Sequence, residues 1–161
     1  MADPAAQLRV RQASRADLEA VARLWVALTR HHAARDDGYA LLPGADGEIR
    51  RLLLAILHDG DSAIWLAEDD QGAVGLCAVR IDAAPPIHAE VERAEITDLW
   101  VDPSLRRLGL GRELLETALR WIDARGVRRV EVRVATSNPE GQAFWRAQGF
   151  GDFVDVLHRH L

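Results

Sequence analysis

Apolar positions recur along the chain in two different periods, and their order predicts a mixed α/β fold. Spacings of three and four residues predict long helices that begin near Ser14, Asp46 and Gly111. Alternating or short apolar runs predict strands at Leu8–Arg11, Ala63–Glu68, Ala73–Ile81, Val91–Val101, Val127–Ala135 and Phe153–His160. A long loop is expected from Arg30 to Ala45 and a short helix from Pro139 to Gln148. The predicted order is β-α-α-β-β-β-α-β-α-β, with helices covering the faces of a mixed sheet.

Composition and charge narrow the class of protein. The chain has 161 residues, so residues 1–161 are expected to form a single domain. The net charge is −5 and all 20 basic residues are arginine, which argues against nucleic-acid binding and excludes a catalytic lysine. Cys77 is the only cysteine, so no disulfide within the chain is expected. Without a signal peptide or a membrane-spanning apolar stretch, a cytoplasmic location is expected.

The segment from Ala94 to Leu115 carries the clearest chemical signal, because it leads from a strand through a glycine-containing loop into a helix. Backbone N–H groups at a helix start have no intrahelical partner, and the helix dipole makes that end positive. Gly109 and Gly111 lack a Cβ, so a diphosphate could lie directly on their amides. This segment therefore predicts a phosphate site.

Arg106, Arg107 and Arg112 surround the same helix start. The positive end of a dipole is a poor place for cations, so the arginines indicate a bound anion. The alternative is a tight turn with solvated arginines. Among phosphate ligands, the lack of lysine excludes a P-loop, and Leu114 occupies the third glycine position of a dinucleotide fingerprint. Glu131 lies at about the distance of a ribose-binding acid, which leaves the dinucleotide hypothesis open but weak.

This loop resembles the acetyl-CoA-binding core of the GNAT N-acetyltransferase superfamily, whose motif Arg106, Gly109 and Gly111 match. The stretch Asn138–Phe150, with an aromatic pair and a final Gly-Phe, resembles the second motif of that family. The resemblance extends over residues 8–161. It implies a mixed, mostly antiparallel sheet of about six or seven strands, about four flanking helices, and a central parallel strand pair that splays apart.

The resemblance also implies a binding mode for acetyl-CoA. The backbone of Leu99 to Val101 would pair with the pantetheine arm, and the amides that follow Arg106 would hold the pyrophosphate. The residues expected to bind the coenzyme are Leu99, Trp100, Val101, Arg106, Arg107, Leu108, Gly109, Leu110, Gly111, Arg112, Asn138, Phe144, Trp145 and Arg146. The implied reaction is direct transfer of acetyl to a primary amine, most simply of a small molecule. Two alternatives are a non-catalytic acyl-CoA-binding module and an acetyltransferase acting on protein N-termini or side chains.

A base near the thioester is needed because an alkylammonium, with a pKa of about 10.4, must lose a proton before it attacks. Glu95 and Asp98 lie on the strand that leads to the loop, and a carboxylate held against apolar neighbours has a raised pKa. Glu95 resembles a catalytic or substrate-binding glutamate of many family members, so it is the preferred base. Residues three apart face opposite sides of a regular strand, so only one is expected in the cleft unless a bulge intervenes. Asp98 is the second candidate, and plain surface charges are the third interpretation.

Trp145 departs from the family pattern, which often has a tyrosine there to protonate the departing thiolate. Tryptophan cannot donate that proton, although a thiol with a pKa of about 8.5 can leave as thiolate. Tyr39, in the long loop, is a weaker candidate for the acid.

Histidines account for the remaining expectations. His31 and His32 could border the acceptor cleft, or could simply end a helix. His158 and His160 lack a third ligand nearby, so no metal site is expected. The apolar C-terminal strand suggests a homodimer.

Overall fold

The computed structural model describes residues 8–161 as five strands and four helices. In chain order these are β1 Arg9–Gln12, α1 Leu18–Ala33, α2 Asp46–His58, β2 Ser62–Asp69, β3 Gly72–Ala83, β4 Glu92–Val101, α3 Leu110–Ala124, β5 Val130–Val132 and α4 Pro139–Ala147. No helix in the described part of the chain is long and apolar enough to cross a membrane.

The strands form one sheet in the order β1-β2-β3-β4-β5. The first three pairings are antiparallel, and β4 and β5 pair in parallel. The parallel pairing joins Ala94–Ile96 to Val130–Val132 and extends no further along either strand. The predicted fold class is therefore confirmed, with five strands in residues 8–161 where six or seven were expected.

Helices cover both faces of the sheet. Side chains of a strand alternate between its faces, so apolar residues on both faces need a covering layer. Leu114, Leu115 and Ile122 of α3 pack into a core on one face. Leu24 of α1 and Leu53 of α2 pack into a second core on the other. These five side chains are at most 1% exposed, so the apolar stripes of α1, α2 and α3 face the sheet, except that Leu52 of α2 is half exposed.

The first helix differs from the sequence prediction at its C-terminal end. The capping box is present, since the Asp17 carboxylate accepts a hydrogen bond from the Ser14 backbone N–H at 2.7 Å. However, α1 continues to Ala33, so the loop predicted from Arg30 begins later. The prediction of a loop was wrong there. The polar residues after Arg30 indicate a loop, but His31 and His32 are favourable beside the negative end of a helix dipole and extend the helix.

The last two predicted strands also need correction. The strand predicted for Val127–Ala135 is confined to Val130–Val132. The strand predicted for Phe153–His160 is absent, and residues 150–161 have no regular secondary structure. A strand needs a hydrogen-bonded neighbour, and within residues 8–161 none pairs with this segment.

A β-bulge at Thr97 connects the fold to the cavity described below. Asp98 pairs with Ala78 and Ile96 pairs with Val79, so Thr97 is an extra residue in β4. An extra residue shifts the alternation of the strand by one position. Ile96 therefore faces the α3 side, whereas Asp98, opposite Ala78, faces the α1 side.

Candidate active site

A cavity of about 660 Å³ opens where β4 and β5 separate. Leu99, Trp100 and Val101 of β4 form one wall, and residues 132–135 form the opposite wall. The start of α3, one side of α4 and the last turn of α1 complete the lining. The predicted splay of the central parallel pair thus creates an elongated cleft.

The loop before α3 presents main-chain amides to the cleft. The first helical hydrogen bond runs from the Glu113 amide to the Gly109 carbonyl at 3.0 Å. The amides of Leu110, Gly111 and Arg112 precede it in the first turn, where N–H groups have no intrahelical acceptor. These amides and the positive dipole end suit an anion.

Two left-handed residues shape this loop. Gly109 has φ 84° and Arg107 has φ 66°, the only positive φ of a non-glycine residue in the described chain. Such a conformation costs a residue with a Cβ about 1–2 kcal/mol. Left-handed residues between right-handed ones turn successive N–H groups toward a common point, which forms an anion-binding concavity. The strain at Arg107 was not visible in the sequence.

Arg106 is held in place by its neighbours. Its Nε donates to the Val101 carbonyl at 3.1 Å, and its guanidinium lies 4.7 Å from the centre of the Trp100 ring. Its ion pair with Glu140 is long, at 3.7 Å, so the positive charge is only loosely neutralised. Arg106 therefore offers a pre-positioned cation at the anion site.

Gly111 leaves room for a ligand beside α4. A Cβ there would lie in ordinary van der Waals contact, 3.6 Å from the Phe144 ring and 3.8 Å from the Val101 side chain. Trp145 is 9% exposed and packs edge-on against Phe144 and Phe150, with ring centres 5.1 and 5.2 Å away. Aromatic rings thus form the floor at this end.

The wall opposite β4 is held by α4. Asn138 caps that helix, and its Oδ1 accepts a hydrogen bond from the Gly141 amide at 3.1 Å. The Gln142 side-chain amide donates to the carbonyls of Val134 and Ala135 at 3.2 and 3.3 Å. Gln142 therefore ties α4 to the segment that follows β5.

Side chains of α1 and β4 also line the cavity. Asp98, His31 and His32 line it where the last turn of α1 approaches the bulge in β4. The His31 ring packs against Trp100 with ring centres 5.3 Å apart, and the His32 ring lies 5.2 Å from that of Tyr39. A carboxylate within a ring-lined recess is suited to an ammonium group.

Burial shifts the pKa values of these groups toward their neutral forms. Burial raises the pKa of Asp98, and the nearby negative charge of Glu95 adds to the shift, while Thr97, Trp25 and His32 oppose it. Burial lowers the pKa of both His31 and His32. Asp98 is therefore a stronger base than an exposed aspartate.

Glu95 has a different environment from Asp98. Its two carboxylate oxygens form ion pairs with Arg80 at 2.8 Å and Arg133 at 3.3 Å. Glu95 does not line the cavity, whereas Asp98 does. Through the Thr97 bulge both carboxylates lie on the α1 side of β4, so the bulge allowed for in the sequence analysis is present.

Most residues expected to bind the coenzyme line the same cavity. These are Leu99, Trp100, Val101, Arg106, Arg107, Gly109, Gly111, Arg112, Asn138, Phe144 and Trp145. Leu108 is exposed, the Leu110 side chain is buried in the core, and Arg146 forms an ion pair with Asp152 at 2.8 Å. Within residues 8–161 no group of three or more His, Cys, Asp or Glu side chains could hold a metal ion.

Sequence reasoning missed two contributors to the site, Thr97 and Gln142. The bulge at Thr97 depends on pairing with β3, which no local motif reveals. Gln142 lies in the matched stretch Asn138–Phe150, but its bonds to residues 134 and 135 follow only from the packing of α4.

Known proteins share both the sequence pattern and the fold. The profile of the acetyltransferase (GNAT) family matches residues 18–150. A mycothiol acetyltransferase of Beutenbergia cavernae is 35% identical over 89 residues, which are 55% of this chain and 28% of that protein. The chain thus spans well under half the length of this relative.

Two solved structures superpose over nearly the whole chain. A GCN5-related N-acetyltransferase of Ralstonia eutropha is 25% identical with a TM-score of 0.78, covering 95% of this chain and 98% of that one. An aminoglycoside N-acetyltransferase in complex with CoA is 21% identical with a TM-score of 0.79, covering 100% of this chain and 99% of that one. The latter likeness shows a shared fold.

Proposed function

The chain belongs to the GNAT family of acetyltransferases, and we propose that it transfers acetyl from acetyl-CoA directly to a primary amine of a small molecule. The observation that carries this proposal is the continuity of one cavity from the amides of α3 to the Asp98 carboxylate. Main-chain amides suited to an anion and a buried base in one cleft suit a coenzyme and an amine that meet there.

The coenzyme end fits a diphosphate. The amides of Leu110, Gly111 and Arg112 would donate to its oxygens, and Arg106 would add charge. Hydrogen bonds to charged groups contribute about 1.5–3 kcal/mol each, so several together hold a pyrophosphate firmly. The exposed edge of Leu99–Val101, which β5 leaves unpaired, would bond to an amide-bearing arm.

Asp98 is the proposed base, in preference to Glu95. Asp98 lines the cavity and its pKa is raised by burial. Both oxygens of Glu95 are engaged by arginines, and Glu95 does not line the cavity. In this proposal Glu95 holds Arg80 and Arg133 on the sheet and adds negative charge near Asp98.

The chemistry needs two proton transfers from the acceptor nitrogen and one acyl transfer. The ammonium group of the acceptor gives a proton to Asp98, and its nitrogen then attacks the thioester carbonyl carbon. The C–S bond breaks, the electron pair leaves with sulfur as the thiolate, and the nitrogen releases its second proton to water. Acetyl-CoA supplies the activated acyl group, so no acyl-enzyme intermediate is required.

The thiolate would leave without an acid from this protein. Trp145 occupies the place where a tyrosine would serve, and its indole has no suitable proton. A thiolate whose conjugate acid has a pKa of about 8.5 is a tolerable leaving group near neutral pH. Water can protonate it after departure.

Small amines are the favoured acceptors because Asp98, the proposed base, lines a cavity within the domain, between α1 and β4. The relatives named for mycothiol and aminoglycosides agree with this class. Trp145 favours a second candidate function, a module that binds acyl-CoA without turnover.

Screening a panel of primary amines with detection of released thiol tests the proposal. We expect acetyl-CoA to raise the melting temperature, NAD and ATP to leave it unchanged, and at least one amine to give steady thiol release. Stabilisation by acetyl-CoA without release on any amine would favour the non-catalytic module. A shift with NAD or ATP but not with acetyl-CoA would contradict the coenzyme assignment.

A further inference from the structure

Arg133 is a cationic side chain of the cavity that the proposed reaction does not use. It follows β5 directly, where β4 and β5 separate, and it lines the cavity together with Asp98. The arginines proposed to hold the coenzyme, by contrast, belong to the segment that leads into α3. The Arg133 side chain is 76% exposed, so its charge is accessible to a molecule that enters the cavity.

Arg133 and Asp98 lie on the same face of the sheet. Val132 packs against the core on the α3 side, so the next residue, Arg133, points to the α1 side, where its Nε lies 3.3 Å from the Glu95 carboxylate. The bulge at Thr97 places Asp98 on that face as well. The cavity therefore holds a carboxylate and a guanidinium on one face of adjacent strands.

The distance between the two strands is short at this point. Their parallel pairing ends at Ile96 and Val132, which directly precede the bulge and Arg133. Paired strands lie about 4.8 Å apart, so the two side chains start from backbones that have only begun to separate. A small molecule can therefore contact Asp98 and Arg133 at the same time.

The ion pair with Glu95 leaves part of the Arg133 guanidinium for a ligand. Arg80, which also pairs with Asp82 at 2.9 Å, is the closer partner of Glu95 and donates a hydrogen bond to it at 2.8 Å. Arg133 approaches Glu95 through Nε, and its two terminal nitrogens bond to no other group within residues 8–161. Two neighbouring N–H groups of a guanidinium match the two oxygens of a carboxylate.

These two charges select for the opposite charges on an acceptor. Asp98 favours the ammonium group that becomes the nucleophile. Arg133 repels a second ammonium group, since like charges oppose each other, and attracts an anionic group. An acceptor with one positive and one negative charge therefore fits this face of the cavity better than a neutral alkylamine or a diamine.

We propose that the acceptor is an amine that also carries a carboxylate, with its ammonium group at Asp98 and its carboxylate at Arg133. This inference rests on the proposed acyl transfer, because it names the class of amine that the same cavity takes. The carboxylate keeps its charge throughout the reaction, so Arg133 binds the ground state and the transition state alike. Arg133 therefore determines specificity through KM and takes no part in the proton transfers.

Steady-state thiol release on matched acceptors tests the inference. The probes are the free amino acids glycine, β-alanine and γ-aminobutyrate, which vary the spacing between amine and carboxylate. Each is compared with the n-alkylamine that has the same number of carbon atoms, and the diamine putrescine completes the series. For the wild type we expect kcat/KM to be higher for at least one amino carboxylate than for its matched alkylamine, and lowest for putrescine.

Arg133→Gln should lower kcat/KM for the preferred amino carboxylate at least tenfold, through KM, and leave the alkylamines unaffected. Arg133→Glu should go further and make putrescine the preferred acceptor. Arg93→Gln is the matched control and should behave as the wild type, because Arg93 forms a similar ion pair with Glu131 at 3.2 Å but does not line the cavity. Melting temperatures and acetyl-CoA affinities should be the same in all of these variants.

Calorimetry with coenzyme A distinguishes a failure of this inference from a failure of the acyl transfer. Protein saturated with coenzyme A is titrated with the three amino carboxylates at millimolar concentrations, which requires no turnover. Binding that Arg133→Gln abolishes would support the acceptor class even if no amine of the panel released thiol, and the proposed acyl transfer would then be the part that failed.

Any of four results would overturn the inference. A wild type that prefers the alkylamines or putrescine does not recognise a carboxylate. A wild type that neither acetylates nor binds the amino carboxylates has no such site. Equal losses for amino carboxylates and alkylamines in Arg133→Gln would make the role of Arg133 structural. A loss of acetyl-CoA affinity with unchanged acceptor preference would place Arg133 at the coenzyme.

Discussion

On the α3 side of the cavity the candidate ligand-binding groups are main-chain amides, whereas on the α1 side they are the side chains of Asp98, His31 and His32. The first set is placed by backbone conformation, including the left-handed φ of Arg107 and Gly109. The second is placed by a helix end and a bulge that lie far apart in sequence. One half is thus a local structure and the other a tertiary one.

This difference determines how each half can be disabled. A main-chain amide cannot be deleted by substitution, so the coenzyme half fails only when a side chain blocks it. A carboxylate can be deleted outright. Variants of the two halves should therefore separate coenzyme affinity from turnover.

The largest effect is expected for Asp98→Asn. Loss of a general base lowers turnover about 10²–10⁴-fold, and asparagine keeps the shape of the side chain without accepting a proton. Acetyl-CoA affinity, measured by calorimetry, should be unchanged because the amides proposed to bind the phosphates belong to the main chain of α3 and not to Asp98. Full activity of Asp98→Asn on a substrate amine would remove Asp98 from the mechanism.

Gly111→Asp should abolish coenzyme binding, by at least about 100-fold or 2.7 kcal/mol. A Cβ at this position already contacts the Phe144 ring at 3.6 Å, and the added carboxylate would project toward the phosphates. Gly47→Asp is the control, because a Cβ there meets no atom within 4 Å. Normal affinity of Gly111→Asp would place the coenzyme elsewhere.

Glu95→Gln should change turnover less than about tenfold, since exposed or half-buried ion pairs contribute about 0–1 kcal/mol. The variant loses charge beside Asp98, so the Asp98 pKa and the acidic limb of the pH–rate profile should both move to lower pH. A rate loss larger than that of Asp98→Asn would instead make Glu95 the base.

The smallest effect is a gain in stability of Asp98→Asn at neutral pH. The folded pKa of Asp98 is raised, so above the unfolded pKa of about 3.9 the folded state retains a proton that the unfolded state loses. The free energy of unfolding therefore falls as pH rises through this window. We expect the melting temperature of Asp98→Asn to exceed that of the wild type at pH 8 and to match it in acid.

Asp17→Asn should change stability at neutral pH in the opposite direction. Its hydrogen bond to Arg11 holds the pKa of Asp17 well below the usual range. Stability from this group is present above the unfolded pKa and is lost as pH falls through the folded pKa. Asp17→Asn should therefore melt below the wild type at neutral pH. A parallel change in both variants would contradict the assigned environments.

Local features of the fold and site were predictable from the sequence. Gly126 ends α3 with φ 76°, as its position after an apolar stripe indicates, and the loop at Gly109 begins the same helix. Such features depend on the backbone freedom of a few adjacent residues. For this reason the backbone geometry of the proposed coenzyme half could be predicted from the sequence.

Long-range features could not be read in the same way. The Thr97 bulge depends on how β4 aligns with Ala78 and Val79, and it decides which face Asp98 occupies. The strand predicted for Phe153–His160 failed because strand formation needs a neighbour, and alternation of apolar residues does not show whether one is present. The acceptor half therefore required the tertiary structure.

The main-chain cradle at the start of α3 has a consequence for how such a protein diversifies. Because the donors there belong to the backbone, mutations that replace nearby side chains such as Leu108 leave the donors in place. The recess at the end of α1 consists of replaceable side chains. We therefore expect substitutions of His31 or His32 during evolution to change acceptor specificity while coenzyme binding is retained.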